Sequence, residues 1–256
     1  MFAMLALCLA VLALADDDPR RVDPDRPTIA NTTSIVARGA VQVEVGVDGQ
    51  VYGRARDDEF LVSVPMILRI GLHKRVELRI FDGDPYRWFR GQVAARQQSE
   101  ISLGAKIKLF ERGDRTRTSL GLQAQLLPVS PFGSATFWAP LPGLVLLLGV
   151  EPGKWNLSVN AGMKLGPAET GRCCAASNLF ATSLSRSFAD KRVSVWGEVY
   201  ARMDVPHVEL AELAGDAGTI VNITRRVAVD VGLLVGRARR TFVIAVLGGL
   251  SVRFGG

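Results

Sequence analysis

The sequence predicts an all-β protein, a single antiparallel transmembrane β-barrel of about twelve strands, and three observations carry that prediction. First, 48% of residues are hydrophobic and the mean hydropathy is +0.20 although 22% are charged. Beyond the N-terminus no uninterrupted apolar run reaches the roughly 18 residues that a membrane-crossing helix needs. Second, one hairpin unit recurs with different residues each time: SVPMILRIGLHKRVELRI at 63–80, LGVEPGKWNLSV at 148–159, SRSFADKRVSVW at 185–196 and VNITRRVAVDVG at 221–232. Each has two alternating arms around a tight turn that holds Lys or Arg. Because successive strand side chains point to opposite faces, each unit has one apolar and one polar face. Third, short connections (73–74, 111–114, 152–153, 190–191, 225–226) alternate with mostly longer ones (48–58, 82–99, 128–140, 166–175). Outer-membrane barrels pair short periplasmic turns with longer extracellular loops in this way.

Taken in order, residues 1–15, MFAMLALCLAVLALA, have the length and the Ala-x-Ala ending of a secretory signal peptide, although no Lys or Arg precedes the apolar run. Cys8 is expected to leave with it. Residues 16–38 are rich in Asp, Arg, Pro and Thr without apolar period and read as an extended periplasmic segment. Residues 39–254 read as the barrel domain.

Strand 1 begins at Gly39, with Val41, Val43, Val45 and Val47 opposite Gln42 and Glu44. Strand 2 is expected from about 59 to 72 and strand 3 from 75 to 81. Strand 4 alternates Ile101, Leu103, Ala105 and Ile107 with Ser102, Gly104, Lys106 and Lys108; strand 5 alternates Leu120, Leu122, Ala124 and Leu126 with Gln123 and Gln125. The stretch 118–150 carries no charge, but its prolines and glutamines exclude a helical span, so it reads as two strands around a loop. Strands 6 to 12 are expected near 141–150, 155–164, 177–189, 193–203, 208–224, 227–235 and 242–254, the segment 208–224 having the weakest alternation.

Parity sorts the polar side chains onto the inside: Gln42, Glu44, Arg69, Glu77, Arg79, Lys106, Lys108, Gln123, Gln125, Asn156, Asn160, Lys164, Trp196, Glu198, Tyr200, Arg202, Asp230 and Arg253. Two uses fit this set, a polar path for a small solute or an internal ion-pair network that braces the wall, because unpaired ions away from water are costly. On this reading an arginine at Gln123 is tolerated, whereas one at outward-facing Val229 is not. The long-loop side carries Arg54, Arg56, Arg87, Arg90, Arg96, Arg172, Arg237, Arg239 and Arg240, either a collar for lipopolysaccharide phosphate or, since the short turns are basic as well, a solvated basic rim. Phe110, Trp155 and Phe188 lie beside the short turns, where interfacial girdles of aromatics occur.

Other chemistries are thinly supported. The adjacent Cys173 and Cys174 cannot anchor a disulfide framework, and His73 and His207 stand apart, so no metal or cofactor is expected. The Gly-x-Ser-x-Gly, His-Glu-x-x-His and phosphate-loop patterns do not occur, which argues against an enzyme. The pI of about 9.6 could suit nucleic acid, but an exported strand-rich chain does not.

DRP at 25–27, GAVQVEVG at 39–46, LRIGLHKRVELR at 68–79, SLGAKIKLF at 102–110 and the terminal LSVRF at 250–254 resemble the outer-membrane family named after the meta-cleavage pathway of phenol degradation. The resemblance spans most of the chain from residue 25. It implies a transporter-like barrel in a Gram-negative outer membrane for small, often aromatic or hydrophobic compounds. The final residues LGGLSVRF, 247–254, themselves resemble the C-terminal signal that the barrel assembly machinery recognises. A non-transporting structural or adhesive barrel, or a secreted soluble β-sandwich, are the alternatives.

Overall fold

The computed structural model describes residues 22–26, 28–53, 59–82, 87–89, 92–94, 101–127, 141–166, 175–189, 191–205, 209–239 and 241–255. Among the described residues there are fifteen strands, paired antiparallel: β1 (Val41–Gly53), β2 (Glu59–Ser63), β3 (Met66–His73), β4 (Val76–Asp82), β5 (Arg87–Phe89), β6 (Gln92–Ala94), β7 (Ile101–Arg112) and β8 (Thr116–Leu127). The remainder are β9 (Leu141–Pro152), β10 (Trp155–Gly166), β11 (Ala175–Phe188), β12 (Val193–Val205), β13 (Glu209–Asn222), β14 (Val227–Ala238) and β15 (Thr241–Phe254).

Twelve of them, β1, β3, β4 and β7 through β15, hydrogen-bond in one ring. Pairing of β1 with β15, from Val41 opposite Phe254 to Gly53 opposite Phe242, closes it. Closure removes the sheet edges that would otherwise expose unpaired backbone groups, which hydrocarbon cannot satisfy. The other three, β2, β5 and β6, extend the ladder from β1 on the long-loop side.

The expected second strand, 59–72, is broken into β2 and β3 at Val64 and Pro65. Proline offers no N–H to a ladder. Its carbonyl still accepts the Gly46 N–H at 2.9 Å, so the ring is not opened there. β5 and β6 lie within the stretch expected to be loop. The segment of weak alternation forms one strand, β13, in register with β12 and β14.

Alternation has the predicted sense. Along β1 Gln42 and Glu44 are buried and Val47 is exposed; along β14 Ala228 and Asp230 are buried while Val231, Leu233 and Val235 are exposed. Leu103, Leu126, Leu146, Phe180, Leu184, Val199, Phe242 and Val246 continue this apolar outer belt around the ring. A continuous apolar belt is rare on water-facing monomers and fits a lipid-covered surface. No described helix is long and apolar enough to cross a membrane. Tight turns close the opposite faces of the hairpins, with Gly113 and Gly153 supplying positive φ of 105° and 65°.

The N-terminal segment departs from expectation. Instead of lying outside as an extended periplasmic chain, its described residues run inside the ring. The Val22 N–H meets the Arg225 carbonyl at a short turn, and the Gly39 N–H meets the Gly71 carbonyl near another, so the chain enters and leaves at the short-turn end. In between, Asp25, Ala30, Thr33, Val36 and Ala37 are buried. A polar, proline-containing stretch reads the same whether water or a charged lumen solvates it, which is why composition alone misplaced it. The segment expected to be a signal peptide, residues 1–15, and Cys173, Cys174 and His207 lie outside the described residues.

Candidate functional site: the charged interior and its inserted segment

An aspartate of the inserted segment sits at the centre of the interior. Asp25 Oδ2 accepts from Lys106 Nζ at 2.6 Å and pairs with Arg79 Nη1 at 2.9 Å and Arg69 Nη1 at 3.5 Å. Arg69 on β3 also reaches Glu44 on β1 at 3.0 Å, and its Nε and Nη2 grip Glu77 on β4 at 3.0 Å each. Three cations thus face three carboxylates, and all six side chains are at most 1% exposed. Strand register explains the wall's share, because Arg69 is opposite Arg79 and Glu77 is opposite Lys106, all pointing inward. Burial by itself pushes the Asp25 carboxyl up, but Arg69, Lys106 and Arg79 together outweigh it and hold it below the usual carboxylate range.

Wall carboxylates also satisfy the segment's backbone, which has no ladder of its own. Glu44 Oε2 accepts the N–H groups of Asp25 and Arg26 at 3.0 Å each. On the other side of the ring, Glu198 accepts those of Ile29 and Ala30 at 2.8 and 2.6 Å, and Glu77 accepts that of Val36 at 2.8 Å. Thr33 Oγ1 bonds Ser119 Oγ on β8. Contacts with β1, β4, β8 and β12 mean that the segment crosses the interior from wall to wall.

The wall is cut to receive it. A Cβ at Gly46 would collide with the Arg26 guanidinium, which instead pairs with Asp48 at 2.9 Å. One at Gly71 would meet the carbonyls of Val36 and Ala37. One at Gly149 would lie 3.1 Å from Thr33 Oγ1.

The remaining predicted inner residues are placed as follows. Gln42 donates to Glu44 at 2.8 Å, Gln125 to Ser102 at 2.6 Å, and Asn156 accepts from Ser158 at 3.4 Å. Gln123 accepts from Arg79 at 2.7 Å, so an arginine there would set two buried guanidiniums together; the expected tolerance of that change is corrected. Asn160, Asp230 and Arg253 are buried, and Trp196 packs on Ala245 and Leu247 over Gly218 and Gly232. Tyr200 and Arg202 both donate to Glu212, at 2.7 and 2.8 Å. Three members lie nearer the ends: Lys108 pairs with Glu111 beside a short turn, and Arg202 and Lys164 are exposed.

Of the arginine collar, Arg237 donates to the Arg239 carbonyl and Arg239 lies 3.7 Å from Asp204, both side chains being exposed. Arg54, Arg56, Arg90, Arg96, Arg172, Arg240 and the side chain of Arg87 lie outside the described residues.

Parity reasoning missed Asp25 and Asp216. Asp25 had no period to be read from, and its only signal was the Asp-Arg-Pro triplet. Asp216 is buried on β13 opposite Glu198, and neither of its carboxylate oxygens has a hydrogen-bond partner among the described residues. The small residues around it, in LAGDAGT, blurred the alternation there. No group of His, Cys, Asp and Glu among the described residues forms a metal-binding cluster.

No protein-family model matches the chain, and no curated protein matches its sequence. Solved structures do match its fold. An outer membrane channel from Pseudomonas putida F1 superposes with a TM-score of 0.61 at 14% identity, over 91% of this chain and 100% of that one. The NanC porin superposes with a TM-score of 0.56 at 8% identity, over 81% and 98%. At such identities the likeness is one of fold: the chain folds as a closed antiparallel β-barrel like those of these outer-membrane proteins.

Proposed function

We propose that the chain is a passive transporter or channel for small compounds in the outer membrane of a Gram-negative bacterium, within the family named after the meta-cleavage pathway of phenol degradation. The reading is supported above all by the interior, where buried polar and charged side chains of the wall face a segment held through discrete hydrogen bonds and ion pairs. A wall that needed only bracing could pair its own charges; here Glu198 on β12 spends both oxygens on the segment. The resemblance to the family extends the substrate class to aromatic and hydrophobic compounds. The likeness of LSVRF to a C-terminal assembly signal supports recognition by the barrel assembly machinery, and the bidentate phosphate chemistry of arginine supports contact of the loop arginines with lipopolysaccharide.

Single-channel recording of the refolded chain in a planar bilayer tests the proposal, with insertion checked by a shift in gel mobility before and after boiling. Discrete small steps, reduced by aromatic solutes, are the expected result. A well-inserted barrel that stays silent both with its segment in place and after the segment is loosened would refute a luminal path. It would favour a structural or adhesive barrel.

A further inference from the structure

At the short-turn end of the ring, the apolar outer face finishes in a clamped cation. Arg186 on β11 has the outward parity of Phe180, Leu184 and Phe188 and is exposed. Directly opposite it on β10 stands Trp155. The guanidinium carbon lies 5.0 Å from the Trp155 ring centre and 5.1 Å from that of Phe188. Both rings are themselves 42% exposed. Among the described residues no carboxylate pairs with Arg186.

Neighbouring turns add charge of the same sign. Lys154 precedes Trp155, and its carbonyl accepts the Ser187 N–H at 3.0 Å, which holds that turn against the clamp. Lys191 and Arg192 follow in the next turn, beside Asp190, which lies outside the described residues. Glu151, the other nearby acid, is engaged by Arg117.

Arg186 lies two residues from the end of its strand and in the terminal pair with β10, so it sits where hydrocarbon gives way to headgroups. Trp and other aromatics favour that level. Ring contacts do not use the guanidinium's N–H donors, and that planar fork matches a phosphate bidentately. We propose that Arg186, held between Trp155 and Phe188 and flanked by Lys154, is a binding site for the phosphate of an anionic phospholipid in the periplasmic leaflet. The short turns face that leaflet, and a row of basic side chains near such a surface is attracted to its negative charge.

The test uses the full chain in bilayers of phosphatidylcholine with or without phosphatidylglycerol, followed by extraction and native mass spectrometry of retained lipid. The wild-type chain should retain phosphatidylglycerol in preference to phosphatidylcholine. Arg186→Gln should lower that retention about fivefold, the effect of one basic side chain at an anionic surface, with an unchanged heat-dependent gel shift. Arg186→Lys, which keeps the charge but not the fork, should fall between. Should Arg186→Gln fail to insert, Trp155→Leu carries the same test by removing one wall of the clamp. Equal retention of both lipids by the wild-type chain, or full phosphatidylglycerol retention by the variants, overturns the proposal. It rests on the membrane orientation and not on transport: absence of the gel shift would strike the barrel reading, whereas insertion without lipid preference would strike only this site.

Discussion

Replacing Asp25 by Asn should unlatch the inserted segment. The wild-type network balances Arg69, Arg79 and Lys106 against Asp25, Glu44 and Glu77, with Asp25 touching all three cations. Neutralising it leaves a net positive charge in a site where none of these side chains exceeds 1% exposure. Removing one partner of a buried ion pair costs about 3–5 kcal/mol. At about 1.4 kcal/mol per tenfold change, the equilibrium between seated and displaced segment shifts by roughly two to three and a half powers of ten. Hydrogen bonds from the segment's backbone N–H groups to Glu44, Glu198 and Glu77 remain, so the expected readout is flickering rather than a permanently open pore. Planar-bilayer recording should show longer and larger openings in Asp25→Asn than in the wild type. The double variant Asp25→Asn/Lys106→Met restores the charge balance and should return the channel toward the wild-type trace. Identical conductance in all three would refute the view that this network holds the segment. The latch also has a pH signature. Asp25 is held below the ordinary carboxylate range, so its contribution is fully present above about pH 4 and is lost only as pH falls through its lowered value. Acidification from pH 7 to pH 5 should therefore leave the Asp25-dependent difference between wild type and variant unchanged, and its disappearance over that range would contradict the assignment.

Three further outcomes are expected. Val229→Arg, on the outer face opposite Leu250, should destabilise the folded barrel by about 2–4 kcal/mol in denaturant titrations in lipid; a neutral result would overturn the face assignment of β14. Gln123→Arg should also be poorly tolerated, because it replaces the acceptor of Arg79 by a second cation, while Gln123→Glu should fold well; equal stability of the two would show that this interior is already open to water. Gly71→Ala should displace the segment near Val36 and Ala37 or cost about 1–3 kcal/mol of overpacking, read as raised conductance or a lowered unfolding midpoint, whereas wild-type behaviour in both would mean that the segment does not pass there.

The parity of GAVQVEVG, LRIGLHKRVELR and SLGAKIKLF was enough to put Glu44, Arg69, Glu77 and Lys106 on one side of a closed sheet, because a strand's period of two leaves no other choice once one face is apolar. The spacing of turns gave twelve strands in the ring for the same reason: each hairpin must reverse where the alternation breaks. What alternation could not supply was the partner of those inward charges. Asp25 lies 81 residues from Lys106 in the chain and on no periodic element, so their contact at 2.6 Å is visible only once the ring has closed around the segment. Likewise Gly46 and Gly71 read as ordinary small residues in strands, and only the packed structure gives them a purpose, as the gaps that admit Arg26 and two backbone carbonyls. Sequence by itself determined the wall, which depends on local period and turn chemistry; the tertiary structure decided what fills it, because long-range pairing of buried charge depends on distances that no local pattern encodes.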